Sequence, residues 1–115
     1  MQLTKTISIA VPLFLMLTAC GSKPALAPVT LTEQQNKLFQ QSCQTCHANA
    51  ASPAPQMGDI KAWEKRIEKG LPVLVQNAMQ GFNAMPAGGL CTICTPDDFE
   101  AMIRFMATAQ TTTQK

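Results

Sequence analysis

Apolar residues recur at helical spacing in the second half of the chain. Leu71, Leu74, Val75, Ala78 and Met79 fall at positions i, i+3, i+4, i+7 and i+8. This spacing places them on one face of a helix, which ends at the next glycine, residue 81. No stretch reads as a strand alternating with helix, so the pattern predicts an all-α fold.

Capping signals mark three further helices. Thr30-Leu31-Thr32-Glu33 has the spacing of a capping box, Asp59 is typical of an N-cap, and Thr95 precedes Pro96 at the first helical position. Gly70 closes the second of these helices. The apolar positions predicted to be buried are Leu31, Leu38 and Phe39 in the first helix, Ile60, Trp63 and Ile67 in the second, and Phe99, Met102, Ile103 and Met106 in the last.

Four short helices at this size bury little apolar surface. The predicted domain covers residues 30–109 of 115, and residues 110–115 are predicted to fray. Domains this small commonly need a cofactor to complete the core. We therefore expect a bound group within the helices.

The N-terminus reads as an export signal. Lys5 precedes an apolar run at residues 7–17, which is too short to span a bilayer, and Leu17-Thr18-Ala19-Cys20 resembles a bacterial lipoprotein cleavage box. Residues 1–19 are thus predicted to be removed, Cys20 to carry lipid, and residues 20–29 to tether the domain to the periplasmic face of an outer or inner membrane. A plain soluble signal peptide is the alternative.

Charge indicates little about partners. Of the nine basic residues only Lys5 lies in the signal, so eight remain against seven acidic ones. The basic residues are few and are not clustered with aromatics, so the sequence predicts no nucleic-acid partner.

The strongest motif is Cys43-Gln44-Thr45-Cys46-His47. Two thiols at this spacing with a histidine directly behind them are typical of covalent haem attachment, in which His47 is the proximal iron ligand. We expect a backbone oxygen within residues 52–55 to accept the other ring hydrogen of this histidine. Half of a zinc site and a thioredoxin-like redox pair are the alternatives, but the chain has one histidine and no βαβ pattern.

A single histidine restricts the second iron ligand. Within a monomer it is a methionine, a rarer donor or nothing. Met102, Met106 and Met79 occupy predicted core positions, and Met57 is close to His47 in sequence. Met85 lies in a glycine- and proline-rich loop and is the predicted distal ligand.

Five cysteines are an odd number for an exported chain. Assigning Cys20 to lipid and Cys43 and Cys46 to haem leaves Cys91 and Cys94 to pair with each other. A catalytic redox role is the alternative, whereas a second haem is excluded because Thr95 stands where a histidine is required.

Three segments together resemble a known family: PQMGD at residues 55–59, WEKRIEKG at 63–70 and GFNAMPA at 81–87. They are similar to the small class I c-type cytochromes of the cytochrome c5 group. The resemblance implies that Met85 is the axial sulfur and that Trp63 and Arg66 lie by the haem propionates. It also implies a disulfide beside the haem crevice and contact between Phe39 and the last helix near Phe105. One departure is Gln35, where such cytochromes often carry glycine at the crossing of the first and last helices.

The expected function is electron transfer by a monomer with one haem c, not catalysis. The expected partners are a membrane quinol–cytochrome c oxidoreductase and a terminal oxidase or reductase. A row formed by Lys61, Lys65 and Lys69 is either a docking patch or a solvated helix face, of which we favour the second. The alternative functions are a haem enzyme or gas sensor with an open sixth position, and a subunit that passes electrons within a larger enzyme.

Overall fold

A computed structural model describes residues 26–108, and within that range the protein is helical, as the sequence predicts. Apart from one isolated bridge between Phe82 and Met85, these residues form no strand. The elements are α1 (Glu33–Gln41), α2 (Gln44–His47), α3 (Ile60–Ile67), α4 (Leu71–Gln80), a 3-10 turn (Ala87–Leu90) and α5 (Pro96–Ala107).

The predictions for both ends of the chain lie outside the described residues. This applies to the signal, to lipidation of Cys20 and to the C-terminal tail. None of the helices described between residues 26 and 108 has the length and apolarity that crossing a bilayer requires.

The first helix begins two residues later than the capping-box pattern at residues 30–33 predicts. Thr32, and not Thr30, is the N-cap: its hydroxyl accepts from the Gln35 amide at 3.2 Å, and the Gln35 side chain accepts from the Thr32 amide at 3.1 Å. Both threonines have a suitable partner three residues on. The later start places Glu33 in the first turn, at the positive end of the helix dipole and 2.8 Å from Lys37.

The other predicted helix starts are confirmed. Asp59 caps α3 by accepting from the Ala62 amide at 3.1 Å. Thr95 and Asp98 form a complete capping box before α5, with Pro96 in its first turn. Each cap satisfies amides that have no partner inside the helix, which is why these residues fix where the helices begin.

The core forms around α5. Its predicted stripe of Phe99, Met102, Ile103 and Met106 is buried, and Met102 is only 1% exposed. Helix α1 contributes Leu38 and Phe39, α3 contributes Trp63, and α4 contributes Leu74 and Ala78. The Phe39 ring meets the Phe105 ring edge-on at 5.3 Å between centroids, as the resemblance implies.

Three predictions about burial need correction. Ile60, predicted to be buried in the second helix, is 46% exposed, because Trp63 defines the buried side of α3. Met79 is 43% exposed, because Leu74 and Ala78 define the buried side of α4 and the last apolar position of the stripe faces away from it. Leu26, which the sequence places in the tether, packs against the core together with Leu31. The packed part of the chain therefore begins a few residues before residue 30.

Gln35 connects the starts of α1 and α5. Its side-chain nitrogen Nε2 donates to Asp98 Oδ1 at 3.3 Å, so the two capping boxes are hydrogen-bonded to each other. The Asp98 carboxylate also accepts from the backbone amide and the hydroxyl of Thr95, at 3.0 and 2.8 Å. These hydrogen bonds, chiefly those from Thr95, lower the pKa of Asp98.

The lowered pKa makes Asp98 a source of stability that acid removes. Its contribution is complete above the ordinary aspartate pKa of 3.8, declines below it and is lost as the pH falls through the folded-state pKa. We expect Asp98→Asn to flatten the dependence of unfolding free energy on pH below about 5. Urea titrations between about pH 2 and 6 measure this. Asp97→Asn removes a carboxylate from the same turn but outside the capping box, and an equal flattening in that control contradicts the assignment.

Candidate functional site

The motif at residues 43–47 lies on a short helix that follows α1 directly. Cys43 is buried, Cys46 is exposed and His47 is buried. Ser42 ends α1, donates through Oγ to the Leu38 carbonyl at 2.6 Å and lies 3.5 Å from Cys43 Sγ. The two thiols therefore occupy different environments, one against the core and one at the surface.

Burial raises the pKa of the Cys43 thiol, and the hydrogen bond from Ser42 offsets this only in part. Its sulfur lies 4.0 Å from the Met102 sulfur, inside the core around α5. Cys43 is therefore the member of the pair that lies in the core. It fixes one side of the motif to the last helix.

His47 is oriented by the loop that follows it. Its Nδ1 atom lies 2.8 Å from the carbonyl oxygen of Pro55, one of the four residues predicted to supply this partner. In the neutral imidazole, donation from Nδ1 leaves the lone pair on Nε2, and this is the form that binds a metal ion. The loop is held in turn by the Met57 amide, which donates to the His47 carbonyl at 2.7 Å.

Trp63 lies on the same side of the site as His47. The two ring centroids are 5.8 Å apart, and the indole N–H donates to the Gln56 carbonyl at 2.8 Å. The indole donor therefore holds the loop behind the histidine. Arg66 is exposed, and its guanidinium donates to the Ala62 carbonyl within its own helix. The propionate role that the resemblance implies for these two residues stays a prediction.

Met85 closes a tight turn after α4. Its amide donates to the Phe82 carbonyl at 2.9 Å, and the Phe82 amide donates to the Met85 carbonyl at 3.0 Å. Asn83 adopts a positive φ of 53° within this turn, a conformation that asparagine tolerates better than most residues. The Met85 side chain is half-buried and packs against the core. The predicted distal ligand therefore stands on a backbone that is fixed by two hydrogen bonds.

The two Cys-x-x-Cys pairs differ in the structure. Cys91 and Cys94 are joined by a disulfide with a Cα–Cα distance of 5.6 Å, as predicted. Cys43 and Cys46 have the same spacing but are not bonded to each other. The Cys91 amide donates to the Gly88 carbonyl at 2.8 Å, which links the disulfide to the 3-10 turn that follows Met85.

These residues fit a covalently attached haem. Two free thiols are available for thioether bonds, and an oriented imidazole next to them presents the nitrogen that an iron ion needs. Residues 26–108 contain no group of three or more His, Cys, Asp or Glu side chains arranged to hold a metal ion. The part of the chain that the structure describes therefore offers no set of ligands for the zinc site that was the alternative.

Comparison with known proteins identifies the family. Residues 30–106 match the family described as cytochrome c oxidase, cbb3-type, subunit III. The chain is also 37% identical to cytochrome c5 of Azotobacter vinelandii over 67 residues, which are 56% of this chain and 81% of the relative. The chain belongs to the class I c-type cytochromes, in the cytochrome c5 group. This cytochrome therefore binds haem c with its iron.

Solved structures support the same assignment. A mono-haem ferrocytochrome c from Shewanella putrefaciens is 36% identical with a TM-score of 0.59, and the match covers 71% of this chain and all of that one. A chain in the electron transfer complex of nitrite reductase with cytochrome c is 29% identical with a TM-score of 0.58, covering 68% and 95% of the two chains. The cytochrome is thus an electron-transfer protein in fold and in family.

Sequence reasoning missed the glycines around Met85. Gly81 ends α4, as the sequence predicts, and it is also closely packed: a Cβ there would lie 3.0 Å from the Ala87 amide nitrogen and 3.1 Å from the Met85 carbonyl oxygen. Its φ is 87°, a conformation that L side chains rarely adopt. Glycine on both sides of a candidate ligand is the signal that points to such close backbone packing.

Proposed function

We propose that this cytochrome carries single electrons between membrane-associated redox partners, with His47 and Met85 as the axial ligands of its iron. Cys43 and Cys46 would hold the haem through thioether bonds. When bound, the haem supplies one-electron chemistry between ferric and ferrous iron. The observation that carries the proposal is the His47 geometry, in which Nδ1 lies 2.8 Å from the Pro55 carbonyl oxygen and Nε2 is the ring nitrogen left to bind iron.

The chain's own residues determine how the site works. The Pro55 carbonyl orients the imidazole, and the Phe82–Met85 turn supplies a soft, neutral thioether. A thioether favours the reduced iron and raises the reduction potential relative to a second imidazole. If His47 and Met85 both bound the iron, oxygen and peroxide would have no open coordination position, so electron transfer and not catalysis is the expected role.

Exposed apolar side chains flank the Met85 turn and suit brief docking. Phe82, Leu90 and Ile93 are 48%, 58% and 73% exposed. An electron carrier must release its partner quickly, so a small apolar surface suits it better than a large interface. Lys69 lies beyond the end of α3 with its ammonium 5.9 Å from the Phe82 ring centroid. Lys69 is thus separated from Lys61 and Lys65, which lie on α3. This separation favours the interpretation of Lys61 and Lys65 as part of a solvated helix face.

One similar structure supports a redox protein as the partner. That chain belongs to an electron transfer complex of nitrite reductase with cytochrome c. For this protein we propose a membrane quinol–cytochrome c oxidoreductase as donor and a terminal oxidase or reductase as acceptor. A second candidate is an electron-transfer subunit of a larger enzyme, which the description of the matching family favours. Co-purification of the haem protein with an oxidase in stable ratio would support the second candidate over a mobile carrier.

Membrane attachment through Cys20 is part of the proposal. It rests on the cleavage-box sequence before this cysteine and on the short polar segment between it and the packed domain, which gives the domain reach. We expect that replacing residues 1–20 with a cleavable signal lacking cysteine moves the haem-stained protein from the membrane fraction to the soluble periplasmic fraction. A native form that is already soluble, or an altered form that stays with the membrane, contradicts the anchor.

The soluble form permits the functional test. We expect a one-electron redox titration, a weak far-red absorption band of methionine-bound ferric iron, and no carbon monoxide binding to the reduced protein at neutral pH. Ready binding of carbon monoxide would instead support the gas-sensor or haem-enzyme alternative. A chain without covalent haem, produced in cells with a working maturation system, would contradict the whole proposal.

A further inference from the structure

Gly89 makes an unusually close approach to the proposed iron ligand. It is buried in the 3-10 turn, and its backbone is left-handed with φ 54° and ψ 36°. A Cβ built at this position would lie 2.8 Å from Cε of Met85. Carbon atoms in favourable contact are about 3.5–4.0 Å apart, so a side chain at residue 89 and the present position of the Met85 methyl exclude each other.

Local contacts hold the Met85 backbone in place. It is fixed by the two hydrogen bonds with Phe82 and by the close packing of Gly81 against the Met85 carbonyl. The 3-10 turn is fixed as well, because the Cys91 amide donates to Gly88 and the disulfide follows at once. The atom in conflict is Cε, at the end of a flexible, unbranched side chain. The Met85 side chain therefore has to turn about its Cγ–Sδ bond, which moves the methyl group away.

Rotation of that methyl changes the direction of the sulfur lone pairs. The thioether sulfur is bonded to Cγ and Cε, and its two lone pairs point away from both carbons. Turning Cε about the Cγ–Sδ bond therefore redirects the lone pair that a metal would accept. The space left by the missing side chain of residue 89 selects one of these directions.

We propose that Gly89 is a positioning residue that sets the direction in which Met85 presents its sulfur to the iron. This inference rests on the proposed His47 and Met85 ligation. Gly89 acts through the terminal methyl of Met85, and the disulfide-linked turn holds Gly89 in place.

The neighbouring glycine provides a matched control. Gly88 belongs to the same turn and has a positive φ of 72°, but a Cβ there would have no heavy atom within 4 Å. Alanine at residue 88 thus imposes left-handed backbone strain without touching Met85. A difference between Gly89→Ala and Gly88→Ala isolates the contact with the ligand.

The test compares Gly89→Ala, Gly88→Ala and wild-type holoproteins by ligand-sensitive spectroscopy. In Gly89→Ala we expect a shifted Met85 methyl resonance in the proton NMR spectrum of the reduced protein and a weakened far-red band in the oxidised protein. Imidazole, which competes for the sixth position, should bind the oxidised Gly89→Ala protein about tenfold more tightly, as expected when the side chain is held away from its preferred rotamer. Gly88→Ala should match the wild type in all three measurements.

Equal spectra and equal imidazole affinities in the two alanine variants would overturn the inference. A wild-type protein without the methionine signature would instead contradict the proposed ligation, so the two failures are distinguishable. If Gly89→Ala does not accumulate as holoprotein, Gly89→Asn and Gly88→Asn replace the pair, since asparagine adopts a left-handed backbone with less strain. The same difference between the members of that pair is then expected, and its absence overturns the inference.

Discussion

Replacing Met85 with alanine is expected to lower the reduction potential by on the order of 0.2 V, within the range over which axial ligands set haem potentials. The thioether favours ferrous iron, and alanine supplies no donor in its place. The same change should open the sixth position, so that the reduced protein binds carbon monoxide at neutral pH. Optical redox titration and carbon monoxide difference spectra measure both effects.

Two other methionines provide controls for this variant. Met79 is exposed on α4, and the Met57 amide is tied to the His47 carbonyl behind the proximal histidine. We expect Met79→Ala and Met57→Ala to keep the far-red band and the potential of the wild type. An unchanged spectrum in Met85→Ala, together with loss of the band in either control, would transfer the ligand to that methionine.

The haem motif and the helix starts were predictable because both are local in sequence. A Cys-x-x-Cys-His segment carries its chemistry within five residues, and a capping box carries its hydrogen bonds within four. The buried stripe of α5 follows in the same way from helical spacing. Where two local patterns compete, as at Thr30 and Thr32, sequence alone does not select one.

Contacts between distant segments were predictable only in part. The partner of His47 is a backbone carbonyl, which carries no residue-specific signal, so the sequence narrowed it to four residues and the fold selected Pro55. The exposure of Met79 depends on which side of α4 meets α5, and helical spacing alone places this residue at the edge of the stripe. The close approach of Gly89 to Met85 arises from two successive turns and has no periodic pattern.

The contrast between the two cysteine pairs shows how context determines chemistry. At equal spacing, Cys91 and Cys94 form a disulfide on a turn, whereas Cys43 and Cys46, at a short helix, are not bonded to each other. In the first pair the bond stabilises the segment behind Met85. In the second pair, the thiols are available for attachment of the haem.

Removing both thiols of the motif is expected to prevent folding of most of the domain. In the Cys43→Ser, Cys46→Ser double variant no thioether can form, and a small helical domain loses the group that completes its core. A ligand that binds only the native state contributes its affinity to stability, so the chain without covalent haem should be largely unfolded. Far-UV circular dichroism should show loss of most of the helical signal, and a haem-stained denaturing gel should show a colourless band.

The disulfide provides the matched control for this experiment. Cys91→Ser, Cys94→Ser replaces the same number of cysteines at the same spacing but leaves the attachment site intact. The ring it closes is short, so its loss should cost about 2 kcal/mol or less and the protein should keep its haem and its helical signal. Retention of the full helical signal by the Cys43→Ser, Cys46→Ser chain would show that the helices fold without covalent haem. The core around α5 would then suffice for folding, and the haem would add only the redox chemistry.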